Sequence, residues 1–450
     1  MSRLDDRRGA RDALTGPTAM RGRGGAPVAV ALDVGASKIA CFIMKADGIR
    51  RSDQTVRVAG AGYVQSRGFK GGVIVDMEEA AQAVAQAIER AEAMAGHPVH
   101  HVTAVTAGGG LASHRVTAQV SLGAKPISDA DLTRAIAAAL SQVRYANRRP
   151  IHLIPVSWAV DGQRGVRDPR SMYGRALALE LLVVSMSDGA FQTLGHCLEL
   201  AHVELQGVVA APFASGLAAL EDDEMDLGCI CIDMGAGATS AAVFSGGSLV
   251  HVDSLAVGGG HVTADIARGL STSIAGAERL KTLHGSAIAS ANEDRETVEA
   301  PPRGDDPGAG PIIVPRSILK NVIAPRVEET LELLRERLKA ADAPLEPGSG
   351  IVLTGGASQL AGVRELAVRV FDRPVRLGRP RRAPHLADAA SGPAFCSAAG
   401  VLLRAAYGPR EAVSMRKLVT GRVGPRDAPQ AAGNGGNVFA KVADWLSENL

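Results

Sequence analysis

Cys229–Phe244 reads CICIDMGAGATSAAVF, and this stretch constrains the fold more than any other part of the chain. A short apolar run (Cys229, Ile230, Cys231, Ile232) delivers Asp233 into the turn Gly235-Ala236-Gly237. Thr239 and a second apolar run, Ala241–Phe244, follow. The pattern predicts strand, glycine-rich turn and strand, with one carboxylate at the first strand's exit. Glycines at alternate positions let backbone N–H groups approach an anion, because no Cβ stands in the way. A carboxylate does not bind phosphate directly, so its natural partner in such a turn is a hydrated Mg²⁺. Taken alone, the stretch reads equally well as a buried hairpin with a glycine turn.

Its weight comes from an echo far upstream. Val28–Leu32 is a continuous apolar strand that ends in Asp33, and Val34-Gly35-Ala36-Ser37-Lys38 turns into a second strand, Ile39–Met44. Two halves built on one plan are implied. A third apolar strand, Ile351–Leu353, opens onto Thr354-Gly355-Gly356-Ala357-Ser358. Each turn singly is an ordinary loop. Jointly they suggest a nucleotide held between two domains, its phosphates gripped by both hairpins and its adenosine resting on Gly355-Gly356. Two of the three carry a carboxylate emerging from an apolar strand, which is costly unless it serves a cation or a strong donor.

Composition narrows the alternatives. A chain of 450 residues is long enough for two or more domains. Lys and Arg number 49 against 47 Asp and Glu, which gives no global nucleic-acid signature, and 3% aromatic content offers no base-stacking platform. Cys41, Cys197, Cys229, Cys231 and Cys396 sit in apolar runs without metal-ligand spacing, as reduced core residues of a cytosolic protein would. No apolar run is long enough to span a membrane. Met1–Ala26 is rich in Arg and Gly and lacks an apolar core, so it reads as a disordered arm, not a signal peptide.

Residues 27–110 and 187–222 read as one α/β lobe, with the Ala-rich helix Met77–Ala95 capped by Asp76. Residues 111–186 read as an inserted β-α-β-β subdomain whose helix is capped by Ser128. Acidic Glu221–Asp226 reads as the hinge into a second lobe, 226–260 and 345–408, with 261–344 as a flanking subdomain. Within 261–344, Asn292–Gly310 reads as a mobile loop. Ile318–Ala340 reads as an amphipathic helix with Val322, Val327, Leu331, Leu334 and Leu338 inward. Residues 409–436 form a Gly, Pro and Ala-rich linker, and 437–450 a terminal helix. On that helix Val438, Phe439, Val442, Trp445, Leu446 and Leu450 share one face. It is too short to cross a bilayer but suits an interfacial helix, with Trp445 and Phe439 as anchors. Its polar face is not basic; docking on the body or a partner is the competing reading.

The three turns resemble the phosphate and adenosine motifs of the actin, heat-shock chaperone and sugar-kinase superfamily. Within it the chain resembles the FtsA family of bacterial cell-division actin homologues, from about Val28 to Leu403. The likeness is most specific at Gly71–Met77, Val262–Ala267, Ala277–Lys281 with His284-Gly285, and Ile351–Gln359. The inserted subdomain matches that family's own.

The resemblance implies a two-lobed actin-like ATPase fold with an inserted small α+β subdomain. Asp33 and Asp233 would hold a hydrated Mg²⁺. Gly35, Ser37 and Lys38 with Gly235, Gly237 and Thr239 would bind the phosphates of ATP, joined in the cofactor set by Gly259. Glu278 and Lys281 would reach the ribose and adenine, and Gly355 and Gly356 the adenosine. The plain alternative for Glu278 and Lys281 is a solvated helix salt bridge of about 0.3–0.5 kcal/mol.

The implied partners are the FtsZ C-terminal peptide, near Arg326 and Glu329, self-association into filaments, other divisome proteins and the cytoplasmic membrane surface. Arg326 and Glu329 also read as ordinary exposed helix charges. The implied location is peripheral, on the cytoplasmic face of the inner membrane at the septum. Val209–Ser215, where relatives place a carboxylate or amide to orient the attacking water, carries neither, so tight ATP binding with slow or negligible turnover is expected. A sugar-kinase-like phosphotransferase and a pilus- or secretion-type assembly protein are the alternatives on the same fold.

Overall fold

The computed structural model describes residues 27–47, 55–143, 146–289, 295–302, 312–343, 348–381 and 390–407. The N-terminal arm, much of the 292–310 loop, the 409–436 linker and the terminal helix with Val438, Phe439, Val442, Trp445, Leu446 and Leu450 lie outside the described residues.

The first lobe begins with β1 (Pro27–Val34), β2 (Lys38–Asp47) and β3 (Thr55–Gln65), then a two-stranded ribbon, β4 (Phe69–Lys70) and β5 (Val73–Ile74). Helix α1 (Met77–Ala95) follows. Its N-cap is Asp76, whose carboxylate accepts the Glu79 N–H, and it ends at Gly96 with φ 64°. Gly60 and Gly62 on β3 lie under this helix, where a Cβ would come within 2.3 Å of the Ala91 and Ala87 carbonyl oxygens. Next come β6 (His101–Thr106) and, beyond the insert, β11 (Glu204–Ala210). The sheet runs β11-β6-β1-β2-β3, with β11, β6 and β1 parallel. Parallel pairing brings Asp33, Thr106 and Ala210 to the same sheet edge.

The insert is β7 (Ala112–Ser121), α2 (Asp129–Leu140), β8 (Arg148–Val160), β9 (Gln163–Val166) and β10 (Ala176–Ser187). This corrects the expected β-α-β-β order by one strand. The polar run Gln163–Val166 is folded back on β8 by Asp161-Gly162, both at positive φ (50° and 84°). Helix α3 (Asp188–Leu200) leads to β11, then α4 (Ala211–Ala219). The acidic hinge is helical: α5 (Asp222–Leu227) is held by a capping box in which Glu224 takes the Glu221 N–H.

The second lobe opens with β12 (Cys229–Met234), β13 (Thr239–Ser245) and β14 (Ser248–Leu255). Then come α6 (Gly259–Gly269), α7 (Ile274–His284), the ribbon β15 (Thr297–Ala300) and β16 (Ile312–Pro315), and α8 (Arg316–Ala340). Last are β17 (Gly350–Thr354), α9 (Val363–Phe371), β18 (Val375–Leu377) and α10 (Cys396–Tyr407).

The unbroken apolar run of β12 is explained by its position. Cys229 and Cys231 face the first lobe's core, while Ile230 and Ile232 face the second. Each buried Ile there contributes about 2 kcal/mol. The insert continues the second lobe's sheet through one pairing, Asp253 with Ala112, and keeps a core of its own around Leu132, Trp158 and Leu177. One boundary differs from expectation. Although α10 lies in the stretch read as second lobe, Cys396, Ala398, Val401 and Leu402 pack in the first lobe's core, against α4 and β1.

Candidate functional site

Two hairpins of one design meet in the cleft. Gly35 N–H donates to Lys38 O at 3.1 Å, and Gly235 N–H to Ala238 O at 2.9 Å. Register agrees as well, with Asp33 opposite Ala40 and Asp233 opposite Ser240. The turns touch tip to tip: a Cβ on Gly237 would lie 2.7 Å from Ala36 Cβ and 2.9 Å from Gly72 N. Glycine is required there by close approach.

Asp233 is buried and Asp33 half-buried, and each carboxylate is given one hydroxyl. Asp33 Oδ2 accepts from Ser397 Oγ at 2.7 Å, and Asp233 Oδ2 from Ser215 Oγ at 2.5 Å. Burial raises the Asp33 pKa, opposed by the Lys38 charge and the Ser397 hydrogen bond. Asp233 is pushed up to about 6, by burial first and by the Asp33 charge, against Ser215 and Lys38. Lys38 is anchored from a distant part of the chain. Its Nζ donates to Ala394 O at 2.6 Å and stands 3.2 Å from the Phe395 ring centroid. Burial lowers its pKa while Asp33 and Asp233 hold it up.

The third turn closes on Asp233. Gly355, at φ 82°, leaves no space for a side chain, since a Cβ would sit 2.5 Å from Asp233 Oδ1. Its N–H donates to Pro393 O at 3.0 Å. Gly356 is exposed at the start of the short 3₁₀ turn Gly356–Gln359. Ser37 is exposed at its turn, and its carbonyl accepts the Ser66 N–H. Thr239 is fully buried, its hydroxyl without a partner among the described residues.

Glu278, Lys281 and Gly259 form an adjoining group. Gly259 N–H donates to Gly235 O at 2.9 Å, which joins α6 to the second hairpin. Lys281 Nζ donates to Glu278 Oε2 (2.7 Å), Thr263 Oγ1 (2.8 Å) and Gly259 O (3.1 Å). With its side chain 14% exposed, Lys281 is more than a solvated helix charge; Glu278 at 54% keeps a free side. Arg326 and Glu329, on α8, belong to a separate ion-pair network. Arg326 Nε bonds Asp265 Oδ2 and its Nη1 bonds Glu329 Oε2, both at 2.6 Å. Arg326 therefore ties α8 to α6, which the reading as ordinary exposed charges does not capture.

A family model described as "Cell division protein FtsA" matches residues 230–400, and one described as "SHS2 domain inserted in FTSA" matches 108–185. Over 425 residues the chain is 39% identical to the cell division protein FtsA of Agrobacterium fabrum, covering 93% of this chain and 94% of that one. The chain belongs to the FtsA family. Cell division protein FtsA of Pseudomonas aeruginosa is 31% identical over 422 residues, covering 94% of this chain and 98% of that one. Among solved structures, the "PilM-PilN type IV pilus biogenesis complex" aligns with TM-score 0.58 at 19% identity, covering 84% of this chain and 98% of that chain, a likeness of fold. The FtsA assignment and the two-lobed α/β architecture agree with the actin-like fold and inserted subdomain expected from sequence.

The FtsA cleft suits a Mg²⁺-nucleotide on chemical grounds. Among the described residues no three His, Cys, Asp or Glu side chains gather to hold an ion directly. Two carboxylates flanked by hydroxyls suit a cation that keeps its water shell. Glycine turns too tight for a Cβ, the orphaned Thr239 hydroxyl and the Lys38 ammonium suit phosphate oxygens. Val209–Ser215 brings no carboxylate or amide to this edge, and its one hydroxyl, Ser215, is engaged with Asp233.

Sequence reasoning missed Ser215, Ser397, Thr263 and the Ala394-Phe395 anchor. Ser215 could have been suspected as a hydroxyl in an otherwise apolar helix. The contacts of Ser397 and Phe395 are purely tertiary and left no local signal.

Proposed function

We propose that this FtsA-family chain binds ATP with Mg²⁺ between its two hairpins and acts as a polymerising adaptor that tethers FtsZ filaments to the cytoplasmic membrane. The observation that carries the reading is the pair of carboxylates, half-buried Asp33 and buried Asp233, which converge with Lys38 where the two glycine turns meet. A hydrated Mg²⁺ would supply the charge that these carboxylates call for. Gly35, Ser37, Lys38, Gly235, Gly237 and Thr239 would hold phosphates, and Gly259, Glu278, Lys281, Gly355 and Gly356 the nucleoside. Val209–Ser215 lacks a group to orient water, so slow or negligible turnover follows. The same lack disfavours a phosphotransferase.

The terminal residues Val438, Phe439, Val442, Trp445, Leu446 and Leu450 would lie in the interface of the inner membrane, and the linker would let them reach it. The FtsZ C-terminal peptide would dock on the subdomain of α8 near Arg326 and Glu329. Filament contacts and other divisome proteins would use the remaining surface, at the septum. Sedimentation with liposomes tests the whole reading. With ATP, the protein should carry FtsZ filaments into the lipid pellet, and Trp445→Glu should abolish this. FtsZ left in the supernatant with the wild-type chain would overturn the tethering role, and undiminished lipid binding by Trp445→Glu the membrane helix.

A further inference from the structure

The inserted subdomain is rooted in both lobes. On the second-lobe side, Ser113 Oγ accepts the Val252 N–H at 2.8 Å, beside the Asp253–Ala112 pairing. On the first-lobe side Arg149 pairs with Asp188, Ile154, Leu182 and Val184 pack into the lobe's core, and one histidine reaches α4. His152 lies on β8 opposite Val184, is 3% exposed, and reaches past its own subdomain to the start of α4. There its Nε2 accepts the Ala210 N–H at 3.1 Å, and its ring meets Phe213 edge-on with centroids 5.1 Å apart.

Ala210 is the N-cap of α4, and its methyl group cannot cap. In a capping box, the N-cap N–H is taken by a Glu or Gln at the third helical position. That position here is Phe213, which cannot accept a hydrogen bond. His152 does this work from another subdomain. Burial, with the Arg404 charge in support, holds its pKa well below the ordinary imidazole range, so Nε2 stays free to accept. Helix α4 in turn carries Ser215, whose hydroxyl bonds Asp233, and it begins at the sheet edge shared with Asp33 and Thr106.

We infer that His152 is a positioning residue that keys the inserted subdomain to α4, so that the seating of the insert and the occupancy of the Asp33–Asp233 cleft are coupled. The path is short: β8 to His152, to the Ala210 N–H, along the first turns of α4 to Ser215, and to Asp233. Coupling of this kind is reciprocal. Whatever seats the insert alters the cleft's affinity, and a filled cleft steadies the insert. The inference rests on the cleft being a nucleotide site.

The full chain, a fluorescent ATP analogue and Mg²⁺ suffice as a test. His152→Leu keeps bulk but removes the acceptor, and should weaken analogue binding about tenfold. His152→Gln, whose amide oxygen can take the same N–H, should restore most of that loss. In the wild-type chain, saturating analogue should slow amide exchange across residues 150–156 as well as 210–215. His152→Leu should break that link. Equal binding by His152→Leu and wild type overturns the inference alone, as does wild-type exchange at 150–156 that ignores the analogue. Where His152→Leu does not fold, the wild-type exchange decides. A wild-type chain that binds no analogue overturns the nucleotide reading itself, and the inference with it.

Discussion

Asp33 and Asp233 head hairpins that share register and turn hydrogen bond, yet their electrostatics differ. Lys38 and Ala238 hold equivalent places, each giving its carbonyl to the hairpin's first glycine. The first hairpin thus brings its own cation, pinned to Ala394 and Phe395, while the second offers a methyl group. Ile39 and Thr239 are the next equivalent pair, so the second hairpin has a hydroxyl where the first has only hydrocarbon. One jaw carries its own cation, and the other has only what Lys38 lends it across the turns. Duplicated backbone geometry therefore does not imply duplicated function. A common turn has been divided into a charged half and a half that needs charge.

The asymmetry can be broken most sharply at the carboxylates. Asp233→Ala should lower affinity for the Mg²⁺-nucleotide on the order of 100-fold, and Asp33→Ala only about tenfold. Titration with a fluorescent ATP analogue in Mg²⁺ measures both, and equal losses would erase the distinction. Stability should move the opposite way. With its pKa raised to about 6, Asp233 favours the folded state while protonated, and that contribution is lost as pH rises through about 6. Asp233→Asn should therefore stabilise the nucleotide-free chain by about 1–2 kcal/mol at pH 7.5, with no gain at pH 4. Urea unfolding at the two pH values checks this, and a gain that ignores pH would assign it to another cause. Lys38→Met gives the smallest effect and the finest distinction. Without the ammonium both carboxylates titrate higher, so the ratio of nucleotide affinity at pH 8 to that at pH 6.5 should grow about threefold.

The parts legible in sequence were those with a local cause. Both hairpins declare themselves because an apolar strand, an aspartate and a glycine turn are contiguous. Helix α1 does so through Asp76 and an alanine-rich face. Strand β9 was legible in principle, since Asp161-Gly162 is a hairpin-turn dipeptide, but Gln163–Val166 has too little apolar pattern to be read as a strand. The short helix α5 hid under its charge, because Asp222–Leu227 reads as a solvated acidic run until Glu224 is seen capping it. His152 was invisible as a tether. On an apolar strand a lone histidine looks like core, and its partner is a backbone N–H in another lobe. Likewise α10 follows the second lobe in sequence, and only packing shows that it completes the first.

The return of α10 has a consequence for biosynthesis. Chains emerge from the ribosome N-terminus first, and early domains ordinarily fold before later ones are made. Here the first lobe stays unfinished until residues 390–407 have been translated, because Ser397 braces Asp33, Ala394 and Phe395 hold Lys38, and Cys396, Val401 and Leu402 pack over β1 and α4. Until those residues emerge, the apolar face they cover is open, where chaperones can recognise it. The bracing of Asp33 and Lys38 is complete only once residues 394–397 have been made.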